Sequence, residues 1–329
     1  MLSTRAADAG VTPKARRAFV QRPTCAAFVV LLAFAGPAAP LAAQVLDLTG
    51  SAFDERFLVK KLEPDGFKAL SPPSFVPASS YVGAAAPAYL KDDDWCIVVD
   101  SNAGARVYPV PVMIWHEVAN DRPAGAGAGT CVSYCILTGS AVVFDEDFGG
   151  TRKTDFGVSG YLYQSNLVMF DYQTRSMWPQ LGMEARSGVE KSRPLPLKAF
   201  SFVRWSEAKA IPGAQVCDGS EALAGMRKMY AVPPMPQMAT YPEDATILSA
   251  VDPAALADAR FPAKDRFAYF PGSKRAVSFS GLARRDHPLV SAARRDGKLL
   301  SVAPATPEPF ITLYWFGLMV FHPDAAIDF

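Results

Sequence analysis

The sequence predicts an α+β fold, mainly antiparallel β, in a single large domain. Short apolar runs alternate with Gly, Pro, Asn and Asp turns over most of the chain. Amphipathic helical periodicity is scarce, and the regular strand–helix–strand spacing of a parallel sheet is missing.

The elements follow in order. Residues 44–91 are rich in Pro, Ala, Ser and Gly and read as an irregular surface arm, with one short helix near Phe53–Lys61. The core then runs over 92–329. Trp95–Val99 and Ala105–Pro109 flank a Gly/Asn turn and read as a hairpin. Val110–Val118 reads as a strand that finishes in a helical turn. Gly125–Gly129 is a glycine-rich turn, and strands follow at Cys131–Thr138, Ala141–Asp145, Thr154–Val158 and Leu167–Asp171. Helices are expected at Glu221–Met229 and Pro253–Arg260, with a helical turn near Ser206–Ala210. Ile311–Phe321 is a long apolar run, too short to span a bilayer comfortably, and reads as core. Asp94–Pro109 echoes Asp265–Phe279, where a second apolar run and turn precede Arg275-Ala276-Val277-Ser278-Phe279. Two similar β units would give that echo; so would a coincidence between two hairpins.

The N-terminus reads as an export signal. Lys14, Arg16, Arg17 and Arg22 precede an apolar core, Cys25–Ala35, and small residues ending at Ala43. The core is shorter than the ~20 residues of a membrane span, so cleavage near Ala43 would leave a periplasmic or secreted protein without a stable membrane span. Arg16-Arg17-Ala18-Phe19 partly matches a twin-arginine signal, but Ala15 and Arg22-Pro23 depart from it and favour the general secretory route. Lys plus Arg number 33 against 32 Asp plus Glu, with no basic stripe, which argues against a nucleic-acid partner. Cys96, Cys131, Cys135 and Cys217 follow the signal, and in an oxidising compartment one disulfide, Cys96 to Cys131, is expected. His287 and His322 each precede a proline and read as surface or hinge residues.

Chemistry concentrates in Trp115-His116-Glu117-Val118-Ala119-Asn120-Asp121 and in Tyr134-Cys135 through Ser140–Asp145. With Gly104–Pro109, Phe156–Gly160, Ser165–Asp171, Thr174–Gln180 and the closing Tyr314–Gly317 and Phe321–Asp324, these motifs resemble the mostly secreted bacterial family known as domain of unknown function 3179. The resemblance runs from Asp92 to the C-terminus and implies no particular reaction. Typical members carry Tyr-Cys-Pro-x-Cys at the central motif. Here Ile136 stands for the proline and Thr138 for the second cysteine, so a close dithiol is lost.

Two functional readings remain. In the first, His116, Glu117 and Cys135 are catalytic candidates, and His116 and Cys135 face one cavity as ligands for copper or another soft metal ion. Asn120 and Asp121 support them, although Asn120 stands where a zinc protease would carry a second histidine. In the second, the chain is a non-catalytic module for a small molecule, its pocket lined by Tyr134, Ser140, Ser165, Asp171, Trp178 and Gln180. Ser165 lacks the glycine elbow of a nucleophile, which suits a hydrogen-bonding role. A blander account covers both key residues: His116 satisfying backbone groups at a corner, and Cys135 as a small buried hydrophobe.

Overall fold

Proline, apolar patches and turns divide the chain into many short strands. The structure is a computed structural model describing residues 46–329 apart from 82, 84–86, 103, 124–128 and 147–153. The segment read as an export signal, and residues 125–128 of the glycine-rich turn, lie outside the described residues. All the described residues belong to one compact unit.

In chain order the strands begin with β1 (Leu58–Lys60), β2 (Phe75–Pro77), β3 (Trp95–Ser101) and β4 (Gly104–Pro109). Helix α1 (Val110–His116) leads into β5 (Val118–Asp121), β6 (Thr130–Cys135), β7 (Ser140–Asp145), β8 (Phe156–Tyr163), β9 (Asn166–Asp171) and β10 (Met177–Pro179). Next come β11 (Ser201–Arg204), α2 (Trp205–Ala208), β12 (Gln215–Cys217), a kinked 3-10 stretch Glu221–Ala231, and α3 (Pro253–Leu256). The chain closes with β13 (Arg266–Phe270), β14 (Arg275–Ser278), α4 (Phe279–Leu282), β15 (Val290–Arg295), β16 (Lys298–Pro304), β17 (Ile311–Tyr314), α5 (Trp315–Phe321) and β18 (Ala326–Asp328).

Three sheets result, and nearly all pairings are antiparallel. Their strand orders are β15-β16-β11-β3-β4-β12-β2, β18-β14-β13-β17-β7-β6-β5, and the smaller β1-β8-β9-β10. The α+β, mainly antiparallel expectation therefore holds.

The two large sheets are built from one repeated plan. Hairpin β3–β4, helix α1, hairpin β6–β7, strand β11, helix α2 and strand β12 match β13–β14, α4, β15–β16, β17, α5 and β18. In each copy the late strand pairs antiparallel with the first strand, and the last pairs parallel with the second. Backbone bonds repeat too. Trp205 N–H donates to the Asp94 carbonyl and Trp315 N–H to the Asp265 carbonyl, both at 2.8 Å. Ser206 to Asp92 and Phe316 to Ala263 repeat at 3.0 Å, and Asp94 to Lys91 and Asp265 to Pro262 at 2.9 Å. The echo read in the sequence is thus two similar β units. Each lends its second hairpin to the other: β16 pairs with β11, and β7 with β17. The β8–β10 segment is an insertion in the first unit.

Three local expectations need correction. Residues 46–91 are not only a surface arm, since β1 joins β8, β2 joins β12, and fully buried Leu70 bridges Ala119. Three-residue strands between prolines are too short to show a period of two, which hid them. The expected helix near Phe53–Lys61 is a 3-10 turn, Glu55–Phe57, leading into β1. At 110–118 the order is reversed: helix comes first and strand second. Pro109 holds an extended φ of −64° at the N-cap and Pro111 sits in the first turn, where its missing N–H costs nothing. Val112, Met113, Trp115 and His116 are the helix's buried residues.

Gly160 lies at φ +78°, and a methyl group there would run into the Leu62 carbonyl. Gly160→Ala is expected to lower stability by about 2 kcal/mol, read as a shift of the urea midpoint. A midpoint unchanged from the parent would show that β8 can relax around the methyl.

Candidate functional site

His116 ends α1 and is fully buried. Its Nδ1 lies 2.6 Å from the Lys68 carbonyl, which can only accept, so Nδ1 carries the proton. Nε2 then accepts the Tyr230 hydroxyl at 2.7 Å. Burial pushes the imidazole pKa down to about 4, so the ring is neutral near pH 7. Both nitrogens are engaged by these two partners, so the ring keeps no free nitrogen for Cys135.

Glu117 takes the place beside Cys135. It caps α1 at φ +58° and ψ −32°, a backbone conformation seldom adopted outside glycine. Its carboxyl is buried, and burial alone pushes the pKa to about 8; among the described residues no charge or hydrogen bond offsets it. The Cys135 thiol is fully buried too, and is raised first by burial and then by the Glu117 charge. Its sulfur rests 4.0 Å from the Ser165 carbonyl. Among the described residues the buried Ser165 hydroxyl has no hydrogen-bond partner, and its residue has φ +61°.

Asn120 and Asp121 serve other contacts. The Asn120 amide accepts from Phe156 N–H and donates to the Phe156 carbonyl, both at 2.9 Å, fastening β5 to β8. Asp121 accepts the Tyr108 hydroxyl at 2.5 Å and Arg106 at 3.4 Å. Its pKa is raised because desolvation outweighs those partners.

The residues read as a pocket wall form two closed groups. Ser140 donates to Gln180 Oε1 at 2.5 Å and pairs with Thr138 at 2.8 Å. Asn166 Nδ2 reaches Thr138 and Gln180 Oε1 at 2.9 Å, while its Oδ1 accepts Leu181 N–H at 3.0 Å. Gln180 Nε2 donates to Ser133 at 3.0 Å. All five side chains are fully buried, and together they bond the exchanged hairpin β6–β7 to the inserted sheet. Thr138, at the position of the absent second cysteine, contributes a hydroxyl to this network. Further along, Asp171 accepts Trp178 Nε1 at 3.0 Å and both Thr174 donors, beside a recess of about 10 Å³ that is sized for one water. Tyr134 is buried and hydrogen-bonds Arg266 of the second unit.

With this geometry in hand, comparison with known families is informative. The family model described as Protein of unknown function (DUF3179) matches residues 64–292, more than two thirds of the chain. The chain belongs to the DUF3179 family. No curated protein and no solved structure matches it.

In this DUF3179 protein the residues do not fit the soft metal ion. A metal would need the His116 lone pair and the Cys135 sulfur turned to one point, and the ring nitrogens already bond Lys68 and Tyr230. Among the described residues no group of three or more His, Cys, Asp or Glu is placed to hold an ion. The four cysteines are free and buried, so the expected Cys96–Cys131 disulfide is absent; they lie on β3 and β6, in different sheets. His287 and His322 are not ordinary surface residues either. His287 is buried and pairs with Asp328 at 3.3 Å, and His322 stacks on Tyr269 with centroids 4.3 Å apart. No described helix is long and apolar enough to cross a membrane.

Sequence reasoning missed a cleft of about 450 Å³ between Ala255–Ala263 and the start of α5. Leu256, Phe261, Trp315 and Phe316 line it, with Asp258 at its edge. Trp315 and Phe316 belong to the Ile311–Phe321 run, whose apolar character was visible but whose strand-to-helix break was not. The side chain of Arg260 lies over the Trp315 ring at 5.1 Å and pairs with Asp258 at 2.7 Å.

Proposed function

We propose that this protein is an exported, non-catalytic binding protein whose small-molecule ligand occupies the cleft beside α5. One contrast carries the reading. The Cys135 thiol is sealed and the His116 ring is satisfied, whereas the cleft between α3 and α5 is open, apolar and roomy enough for a small ligand. A buried thiol raised by desolvation is a poor nucleophile, and an imidazole locked between a carbonyl and a phenol is a poor base. The signal-like N-terminus supports export.

Two measurements test this. Treating the native protein with iodoacetamide at pH 7 is expected to leave Cys96, Cys131, Cys135 and Cys217 unmodified, with all four alkylated only after unfolding. Fast labelling of Cys135 that depends on His116 would restore the thiol reading. Separately, the neutral dye Nile red is expected to bind saturably with quenching of tryptophan emission. Absence of saturable binding would remove the cleft as a ligand site.

A further inference from the structure

The repeated plan leaves one strand short of a neighbour. Hairpins β6–β7 and β15–β16 are equivalent, and in the first unit β5 flanks β6 on its outer side, antiparallel, from Val118 opposite Ser133 to Asp121 opposite Thr130. All six residues of β6 are buried. In the second unit the chain between α4 and β15, residues 283–289, forms no strand and makes one bridge to β15, from His287 to Val290. Among the described residues β15 therefore ends its sheet, with Ser291, Ala293 and Arg295 exposed. Of the other sheet ends, β1, β2, β10 and β18 have three residues each, and the four-residue β5 is bridged by Leu70. The six-residue β15 is the longest open edge among the described residues, and its unpaired N–H and C=O groups form a template for another strand.

We propose that β15 pairs antiparallel with β15 of a second copy of this chain, joining two molecules through one continuous sheet. The place that β5 fills beside β6 shows that an antiparallel neighbour suits this hairpin. Ser291, Ala292 and Ala293 carry small side chains, so a second backbone can approach to ladder distance without displacing them. The order of charges selects the second copy and its direction. Arg294 and Arg295 close the strand, and Asp286, whose side chain is 92 % exposed, stands four residues before it begins. Asp286 bonds Arg294 of its own chain at 2.7 Å and keeps the rest of its carboxylate open to solvent. Antiparallel pairing about Ala292 sets the basic end of each copy beside the acidic end of the other, and the two-fold axis makes the contact twice. Parallel pairing would lay the two basic ends side by side. A single edge contact buries little surface, so the dimer is a weak one.

Sedimentation equilibrium of the purified protein is the test. A reversible monomer–dimer equilibrium with a dissociation constant of roughly 10–100 µM is expected, as befits a contact of this size. Ala292→Asp brings two carboxylates together at the axis and should weaken the dimer by about tenfold or more. Ala293→Asp, at an exposed position, does the same and serves should the first variant fail to fold. Circular dichroism and the urea midpoint confirm that each variant is folded. A protein that stays monomeric up to about 500 µM, well above the expected constant, would overturn the proposal. So would a dimer whose dissociation constant is unchanged in a folded Ala292→Asp or Ala293→Asp variant, since it would then use another surface. Neither outcome bears on the cleft between α3 and α5, so the binding-protein reading stands or falls separately.

Discussion

Glu117→Gln is expected to remove a decline in stability of about 1.4 kcal/mol per pH unit between about pH 4.5 and 8, read as the difference between parent and variant. Glu117 keeps its proton in the folded protein up to about pH 8, while its ordinary carboxyl pKa is 4.5. The folded state therefore binds the extra proton between those values, and stability falls as pH rises through that window. The contribution is fully present below about pH 4.5 and gone above about pH 8. At 1.36 kcal/mol per pKa unit this is about 5 kcal/mol. Glu146, also buried and raised to about 8 beside Arg122, adds a similar slope that the substitution leaves in place. Urea midpoints at pH 5, 6, 7 and 8 for both proteins check this. A glutamine variant whose profile runs parallel to the parent would mean that the Glu117 carboxyl is ionised and partnered in the fold.

Removing the Asn166 amide should be comparably costly. Asn166→Leu strands the Leu181 N–H and takes one of two partners from Gln180 Oε1 and from the Thr138 hydroxyl, which keep Ser140, all in a fully buried layer. With an unsatisfied buried group costing about 1–3 kcal/mol and two further bonds lost, a loss of about 3 kcal/mol is expected at pH 7. Gln180→Met should cost less than that, and the double variant clearly less than the sum, because both residues serve one network. Additive losses, or an Asn166→Leu loss below about 1 kcal/mol, would show that the network is not holding the inserted sheet.

Much of the framework was legible in the residues. Alternating apolar runs and turn residues marked β3, β4, β6, β7, β9 and part of β8, and the echo between Asp94–Pro109 and Asp265–Phe279 marked the duplication. What sequence spacing could not show was partner choice. His116 and Cys135 are close in the chain and their motifs are adjacent, yet one helix end rotates the ring to Tyr230, more than a hundred residues away. The missing second cysteine hid a further fact, that Thr138 sits in a bonded layer with Asn166 and Gln180 from the insertion. Ile311–Phe321 is core as expected, but its break into β17 and α5 was hidden because it depends on Asp265 receiving the Trp315 N–H, a long-range contact.

The hairpin exchange also dictates when the chain can fold. Strand β11 gains its outer neighbour only from β16, and β7 only from β17, so Ala141 bonds Thr312 across 171 residues of chain. Neither unit can be completed while the other is still being made. A nascent chain that has not reached Val290 carries an open β11 edge able to recruit other strands, and the high proportion of distant pairings makes maturation slow. Release of the last strands from the ribosome is thus the step that commits both halves at once, and stalled or truncated forms are the ones that should aggregate.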